Sequence, residues 1–283
     1  MDLIRAFQKN EKLLEDIKAH GKDPTHVHLW WLGQSGFLLA WNEKYVLLDP
    51  YLSDSLTDKY KKSDKPHTRI SEKVIDPETL DFIDIVTSSH NHTDHLDAGT
   101  LIPLITVNKD ISMVIPEANR EFVCNRIQMP HNFPIGMNDG IRKEIKGITF
   151  IGIPAAHNLL ERDEKGQCLF MGYIIQMGGV NIYHSGDTLL FEGMEELLAS
   201  YNIDIALLPI NGNDPSRGVA GNLNAEEAAR LASRISAKLT VPCHYDLFSF
   251  NTADPTEFAE DAREHHINYR ILKLGEGLSI PAR

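Results

Sequence analysis

The segment His90-Asn91-His92-Thr93-Asp94-His95 follows the apolar run Phe82-Ile83-Asp84-Ile85-Val86, which is typical of a β-strand. It places three imidazoles and one carboxylate within six positions. The first two histidines are two residues apart, so they point to the same side of an extended chain, and the last two residues lie on the turn that follows. Imidazole nitrogens and carboxylate oxygens are ligands that Zn, Mn and Fe(II) accept. The segment therefore predicts a metal site rather than a chance histidine-rich turn.

Three later apolar runs are each followed by a further candidate ligand. The pairs are residues 148–153 with His157, residues 180–183 with Asp187, and residues 238–241 with His244. Ligands at the ends of several strands can converge on one edge of a sheet, where functional loops usually lie. Taken singly, a lone histidine is more often a core or surface residue, and Asp187 could instead cap a helix that begins near Leu189. The recurrence of the pattern favours ligation.

The order of these residues, H-x-H-x-D-H, then His, then Asp in a Gly-Asp turn, then His, resembles the metallo-β-lactamase superfamily over about residues 26–280. This resemblance implies an αββα sandwich of two mixed β-sheets with helices on the outer faces. It also implies a metal-dependent hydrolase with one or two divalent ions per chain, Mn or Zn being expected and Fe remaining open. One metal would be held by His90, His92 and His157, the other by Asp94, His95 and His244, with Asp187 bridging them.

Within that superfamily, the chain resembles the L-ascorbate-6-phosphate lactonase-like branch. The segments that carry this likeness are residues 30–36 (WWLGQSG), 213–218 (NDPSRG), 242–246 (PCHYD) and 253–255 (ADP). The lactonase of that branch lacks a histidine equivalent to His157 and is thought to use a single metal, often Mn. The resemblance therefore implies the branch, and His157 separates this chain from the one-metal lactonase.

The composition is that expected of a cytoplasmic enzyme. The chain of 283 residues is long enough to form a sizeable core, and residues 1–283 are predicted to form a single domain. Three cysteines at unrelated spacings argue against a disulfide framework. Neither a signal-peptide h-region nor an apolar run of about 18 residues is present, so no membrane association is expected. The net charge of −12 weighs against long nucleic acid as a partner and leaves a small-molecule substrate.

Helices are predicted to alternate with strands along the chain. Leu3, Ile4, Phe7, Leu14 and Ile17 recur at a helical period and predict a helical extension over about residues 1–20. This helix packs either on a partner subunit, which would make the protein a homo-oligomer, or on its own domain. Short apolar runs then predict antiparallel strands over residues 27–32, 37–41 and 45–48. Later helices are predicted over residues 117–128, 189–201, 225–236 and 255–265, the third beginning close to a capping box.

Several residues are candidates for roles around the metal. Asp49 ends a strand and is expected to hold the second nitrogen of a ligating histidine. The polar residues 53–76 form either a solvated loop or a flap that brings Lys side chains or Arg69 to an anionic substrate. Arg217 suits a carboxylate or phosphate, with Asn213 in the same loop, and a surface salt bridge is its alternative. Tyr245 either donates to a carbonyl oxygen or is a packed aromatic residue.

The predicted metal site indicates hydrolysis by metal-activated water at neutral pH. Asp94 is the predicted proton shuttle. The first hypothesis is a lactonase that opens a cyclic ester of a small, anionic, sugar-like acid. The second is a phosphodiesterase that acts on a small cyclic or diester phosphate. The third is a redox or sensing protein, or a metal-dependent interaction module, on the same fold. A flavin or iron–sulfur segment would support this third hypothesis, and the sequence shows none.

Overall fold

Strands supply the framework of residues 3–283, which are the part of the chain that the structure, a computed structural model, describes. Most strands consist mainly of apolar residues, with β-branched and aromatic side chains among them that favour a pleated, buried surface. The strands are β1 (His26–Gly33), β2 (Gly36–Trp41), β3 (Lys44–Leu48), β4 (Ile85–Thr87), β5 (Ser112–Pro116), β6 (Pro134–Met137), β7 (Arg142–Ile145), β8 (Ile148–Pro154), β9 (Met171–Met177), β10 (Val180–His184), β11 (Ile205–Pro209), β12 (Leu239–Cys243) and β13 (Gly277–Pro281).

Helices precede the first strand and join many of the later ones. They are α1 (Asn10–His20), α2 (Ser55–Tyr60), α3 (Ala98–Val107), α4 (Arg120–Ile127), α5 (Met194–Ala199), α6 (Ala225–Arg234) and α7 (Pro255–Glu264). The predicted capping box is present at the start of α6, where Asn224 and Glu227 bond each other's backbone N–H groups. None of the helices found between residues 3 and 283 combines the length and the apolar composition that a bilayer crossing needs.

Within residues 3–283 the strands form two mixed sheets. The first has the order β13-β1-β2-β3-β4-β5-β6 and the second β12-β11-β10-β9-β8-β7. In the first sheet, β3, β4, β5 and β6 are parallel neighbours. In the second, β10, β11 and β12 are parallel, and the antiparallel β9 lies between β8 and β10. Consequently β8, β10 and β12 run in one direction and end at one edge of their sheet.

The two sheets pack face to face around a shared core. Trp31 and Phe37 from the first sheet and Phe150 and Tyr173 from the second lie in the same buried cluster. Helices cover the outside, α6 for example lying against β11 and β12. The predicted αββα sandwich is therefore confirmed.

The N-terminal segment differs from its prediction. Residues 1 and 2 lie outside the described residues, and residues 3–9 are not helical, because Ile4 pairs with Ser71 as an isolated bridge and α1 begins only at Asn10. Leu13 and Ile17 of α1 are fully buried in the main core. The helix thus packs on its own domain, and a homo-oligomer stays a prediction that no contact in the structure tests.

Two further boundaries need correction. The helix predicted over residues 189–201 begins only at Met194, because residues 189–193 form a loop that ends at Gly193 with a φ of 82°. The region of residues 53–76, predicted to lack any element of its own, contains α2. Leu56 of α2 packs on Tyr51 and Phe248, so this part of the region is anchored.

Candidate metal centre

All seven candidate ligands lie at one edge of the sandwich, just after the ends of strands. Residues 90–95 follow β4 in the first sheet, whereas His157, Asp187 and His244 follow β8, β10 and β12 in the second. The turn before Asp187 is tight: Gly186 has a φ of 60°, and a Cβ at this position would lie 2.7 Å from Cβ of Ser89. Glycine at this position therefore lets the two ligand-bearing loops approach each other.

His90, His92 and His157 form a first triad, whose potential ligand atoms all lie within 4.8 Å of one another. Nε2 of His157 is 3.2 Å from Nδ1 of His92. The ring centroid of His90 is 4.6 Å from that of His92 and 5.1 Å from that of His157. The aromatic ring of Phe170 lies beside all three imidazoles.

Asp94, His95 and His244 form a second triad within the same 4.8 Å limit. Oδ2 of Asp94 is 3.8 Å from Nε2 of His95 and 3.7 Å from Nε2 of His244. The side chains of His95 and His244 are 0% and 1% exposed, whereas that of Asp94 is 18% exposed. Asp94 is therefore the member of this triad that faces the solvent side.

Asp187 lies between the two triads. Its Oδ2 is 3.7 Å from Nε2 of His157 and 3.5 Å from Nε2 of His244. Its Oδ1 is 3.2 Å from Nε2 of His95. The carboxylate thus faces members of both triads, which is the position of a bridging ligand.

Other groups fix the orientation of the histidine rings. Oδ2 of Asp49 lies 2.8 Å from Nδ1 of His95, and Thr87 and the Ser89 backbone donate to Oδ1 of the same carboxylate. Oγ of Ser89 lies 3.0 Å from Nδ1 of His90. Nδ1 of His157 donates to the carbonyl of Gly221 at 2.8 Å. In each ring, Nε2 is left to face the centre, as is typical of metal-binding histidines.

The donor atoms fit a divalent cation. Nε2 of His90 is buried and has no hydrogen-bond partner among the described residues, whereas the buried Nε2 of His95 and Oδ1 of Asp187 lie 3.2 Å from each other. Buried polar atoms normally have partners, so the unpaired nitrogen of His90 indicates a donor suited to a cation. All three are nitrogen or oxygen atoms of the kind that Zn, Mn and Fe(II) accept.

The charges of the cluster agree with this fit. Burial lowers the pKa of His157 to about 4, so its imidazole is neutral and able to bind a cation. Burial opposes protonation of His95 as well, yet the carboxylates of Asp187 and Asp94 raise its pKa well above the ordinary value. The carboxylates of Asp187 and Asp94 therefore favour positive charge in this cluster, which a divalent cation would supply.

A cleft of about 530 Å³ opens over the ligands. Its walls include Lys59 and Arg126, together with Phe122 and Val219. Nζ of Lys59 lies 5.0 Å from the ring centre of Tyr60, and the Arg126 guanidinium lies 4.5 Å from that of Phe122. Two cationic side chains thus face a cleft whose floor is the metal centre.

The two arginines predicted to bind substrate do not line this cleft. Arg69 donates to Asp54 at 2.7 Å and to the Ser53 carbonyl at 2.6 Å, and its side chain is only 9% exposed. Arg217 donates to Oδ1 of Asn251 and to the carbonyl of Asn211, both at 2.8 Å. Both guanidinium groups hold loops together, which corrects the prediction.

Tyr245 and Asn213 also lie outside the cleft lining. The hydroxyl of Tyr245 donates to the Leu272 carbonyl at 2.5 Å, and its ring centroid lies 4.3 Å from that of Trp31. Tyr245 is therefore the packed aromatic residue of the alternative interpretation. Asn213 is exposed on the loop that follows β11.

Lys59 belongs to residues 53–76, the region predicted either as a solvated loop or as a flap that brings Lys side chains to the substrate, and it lines the cleft. Sequence reasoning missed two other residues that contact the site or its cleft, Arg126 and Gln34. Arg126 is one of several basic residues in its part of the chain. Gln34 follows β1, and its amide nitrogen donates to Asp94 at 2.9 Å. The sequence placed Gln34 in a turn, and nothing in its neighbours indicated a contact 60 positions away.

A family model described as "Beta-lactamase superfamily domain" matches residues 44–245. This span covers more than half of the chain and contains all seven candidate ligands. The chain belongs to the metallo-β-lactamase superfamily. The predicted superfamily is thus confirmed, while the lactonase-like branch stays a prediction.

Members of the metallo-β-lactamase superfamily resemble the chain over most of its length. A "UPF0173 metal-dependent hydrolase" of Methanosarcina mazei is 31% identical over 258 residues, which are 90% of this chain and 98% of the relative. A similar hydrolase of Archaeoglobus fulgidus is 30% identical and covers 88% of this chain and 97% of its own. The chain is therefore a metal-dependent hydrolase of this superfamily.

A solved structure shows the same fold at lower identity. Igni18, described as a metallo hydrolase from Ignicoccus hospitalis, superposes with a TM-score of 0.67 at 24% identity. The match covers 92% of this chain and 100% of Igni18. The fold shared with Igni18 therefore extends over nearly the whole chain.

Proposed function

We propose that the chain opens a lactone or similar cyclic ester of a small, anionic, sugar-like acid. The observation that carries this proposal is the pair of cations, Lys59 and Arg126, in the wall of the cleft above the ligands. The chain as a whole has a net charge of −12, so a locally cationic wall favours anionic substrates that the rest of the surface would repel. A cleft of about 530 Å³ suits a small molecule.

Arg126 is positioned to orient such a substrate. Its Nη1 donates to the Asn91 carbonyl, inside the ligand segment, at 2.8 Å and to the Leu96 carbonyl, just after that segment, at 3.3 Å. These contacts fix the guanidinium relative to the candidate ligands, so an anionic group bound there would be held in register with them. Phe122 and Val219 offer apolar surface to the carbon skeleton.

The cluster supplies groups for hydrolysis. Bound divalent cations would activate water at neutral pH and polarise the carbonyl oxygen of the substrate. Burial opposes ionisation of Asp94, but His95 and a hydrogen bond from Gln34 hold the pKa of its carboxyl group below the ordinary value. Asp94 is therefore ionised at neutral pH and able to accept a proton. Since it is the more exposed member of its triad, we assign it the transfer of a proton to the leaving alkoxide.

A phosphodiesterase is the second candidate. The observation that favours it is the position of Asp187 between two triads, because two neighbouring cations can stabilise the attacking and the leaving oxygen in displacement at phosphorus. The cationic wall would suit a small phosphate diester as well as a carboxylate.

A parallel assay separates the two candidates. Protein loaded with Zn or Mn would be tested on a panel of lactones and on bis(p-nitrophenyl) phosphate, beside the Asp94→Asn variant. The exposed Asp110→Asn variant is the matched control. The proposal predicts lactone turnover that Asp94→Asn abolishes and Asp110→Asn retains. Diester cleavage without lactone turnover would replace the first candidate by the second.

A further inference from the structure

Gln34 lies next to the second triad without belonging to the predicted ligand set. It follows Gly33 in the turn between β1 and β2, has a φ of 52°, and is 2% exposed. A positive φ is uncommon outside glycine and costs conformational energy. A buried amide in this conformation therefore requires contacts that hold it there.

The backbone of Gln34 provides such contacts. Its carbonyl oxygen accepts a hydrogen bond from Nε1 of Trp31 at 2.9 Å. The same oxygen accepts from the backbone N–H of His244 at 3.0 Å. The turn is thus bonded directly to the loop that carries one ligand of the second triad.

The side chain of Gln34 reaches two ligand atoms of that triad. Its Nε2 lies 2.9 Å from Oδ2 of Asp94 and 3.1 Å from Nε2 of His244. The reversed amide would place its oxygen against the ionised carboxylate of Asp94, so the nitrogen must be the atom that faces both. Each of its two N–H groups can then point at one of these acceptors.

A neutral imidazole nitrogen has a single lone pair. Nε2 of His244 can use it either to accept the N–H of Gln34 or to bind a cation, but not for both at once. We propose that the carboxamide of Gln34 competes with the cation for the second triad, so that the two metal positions differ in affinity. This inference rests on the cluster being a metal centre and is independent of which ester is hydrolysed.

The first triad lacks an equivalent competitor among the described residues. Its contact between Nε2 of His157 and Nδ1 of His92 joins two ligands, which a cation would bind together. The outer contacts of His157 and His90 are made through Nδ1 and leave Nε2 available. The first position should therefore fill at a lower metal concentration than the second.

Calorimetric titration of metal-stripped protein with Zn²⁺ tests this inference without any substrate. The parent should show two binding steps of different affinity. In Gln34→Leu, which keeps the side-chain size but removes the N–H donors, the weaker step should tighten by roughly 2- to 10-fold, as expected for the loss of one competing hydrogen bond to a neutral acceptor. The tighter step should not change. Gln176→Leu is the matched control, because the side-chain amide of Gln176 in β9 donates to Asn181 in the neighbouring β10 and is not part of either triad.

The outcomes are distinct. Two steps of equal affinity in the parent, or a second step in Gln34→Leu that is unchanged or weaker, would overturn the competition. Should Gln34→Leu fail to fold by circular dichroism, Gln34→Asn replaces it: asparagine tolerates a positive φ, and its shorter amide is drawn away from His244, so the second step should again tighten. A parent that binds no Zn²⁺ would overturn the metal centre itself, whereas Zn²⁺ binding without lactone turnover would overturn only the proposed substrate.

Discussion

At the scale of single residues, His157 determines whether the first triad is complete. It brings Nε2 to within 3.2 Å of His92 and 3.7 Å of Asp187. His157→Ala should therefore lower the number of ions bound per chain, which elemental analysis of protein loaded with excess Zn measures. His131→Ala is the matched control, because His131 is exposed and does not belong to the cluster. The same stoichiometry in His157→Ala and the parent would show that His157 is not a ligand.

Lys59 offers a test of the cationic wall that leaves the metal ligands untouched. It is exposed, and its Nζ lies over the ring of Tyr60 and is free to meet a substrate anion. Lys59→Gln removes the charge and keeps the length, so KM for an anionic lactone should rise by roughly 2- to 5-fold, as for a partly screened ion pair. kcat should stay within about twofold, because binding alone changes.

Lys62→Gln is the control for this variant, since Lys62 is exposed in the same region but does not line the cleft. Steady-state kinetics at two ionic strengths measures both variants. An unchanged KM in Lys59→Gln, or an equal rise in both variants, would remove Lys59 from the substrate site.

The candidate ligands could be named from sequence, whereas the substrate residues could not. Ligand spacing leaves a readable pattern because a cation demands several nitrogen and oxygen donors at fixed positions. A guanidinium leaves no such pattern, because its role depends on which acceptor it meets in the fold. Arg69 meets Asp54, Arg217 meets Asn251, and Arg126 faces the cleft.

At the scale of elements, Asp204 joins β10, β11 and β12. It lies just before β11, is 3% exposed, and accepts hydrogen bonds from the Asn181 backbone and from Lys238, both at 2.8 Å. Arg283 also donates to it. Burial opposes ionisation of this carboxyl group, but the Asn181 N–H and the two cations hold its pKa below the ordinary value.

The lowered pKa gives this contact a pH dependence. Asp204 contributes stability above the pKa of an unfolded aspartate, about 3.9, and loses it as pH falls through the lower folded pKa. Asp204→Asn should reduce the free energy of unfolding at pH 7 by about 1 to 3 kcal/mol, and its stability should fall less steeply below pH 4. Urea unfolding across that range measures this, with the exposed Asp81→Asn as control. Parallel stability curves for Asp204→Asn and the parent would contradict the assignment.

The sequence predicted whether a segment is a strand or a helix better than it predicted where that segment begins and ends. The apolar runs that ended in ligands predicted β8, β10 and β12 to within a few residues, because buried strands have a strong composition signal. α3 escaped prediction: it is apolar on most sides and contains Pro103, which is unfavourable inside a helix. The N-terminal apolar residues suggested one continuous helix, but Leu3, Ile4 and Phe7 precede α1 and are 40% to 54% exposed.

At the scale of the whole molecule, the candidate metal centre connects the two sheets. The segment of residues 90–95 extends from the first sheet, and His157, Asp187 and His244 extend from the second. Each triad therefore draws ligands from both sheets. The recurrence of ligands at strand ends predicted that they converge on one edge of a sheet. The grouping of these residues into two triads came only from the resemblance to a known family, because spacing along the chain does not reveal which strand ends meet.

This connection predicts that removal of metal destabilises the entire sandwich. A metal that binds only the folded state raises the free energy of unfolding by about 2.7 kcal/mol when its free concentration exceeds Kd by about 100-fold. For domains of this general size, a change of about 1 kcal/mol in the free energy of unfolding shifts Tm by roughly 2 to 4 °C. Removal of the metal with EDTA should therefore lower Tm by about 5 to 10 °C, which scanning calorimetry measures. His131→Ala should show the full shift, and His157→Ala a smaller one, because it lacks a donor of the first triad. Equal Tm values for protein with excess Zn and with EDTA would mean that no cation joins the two sheets.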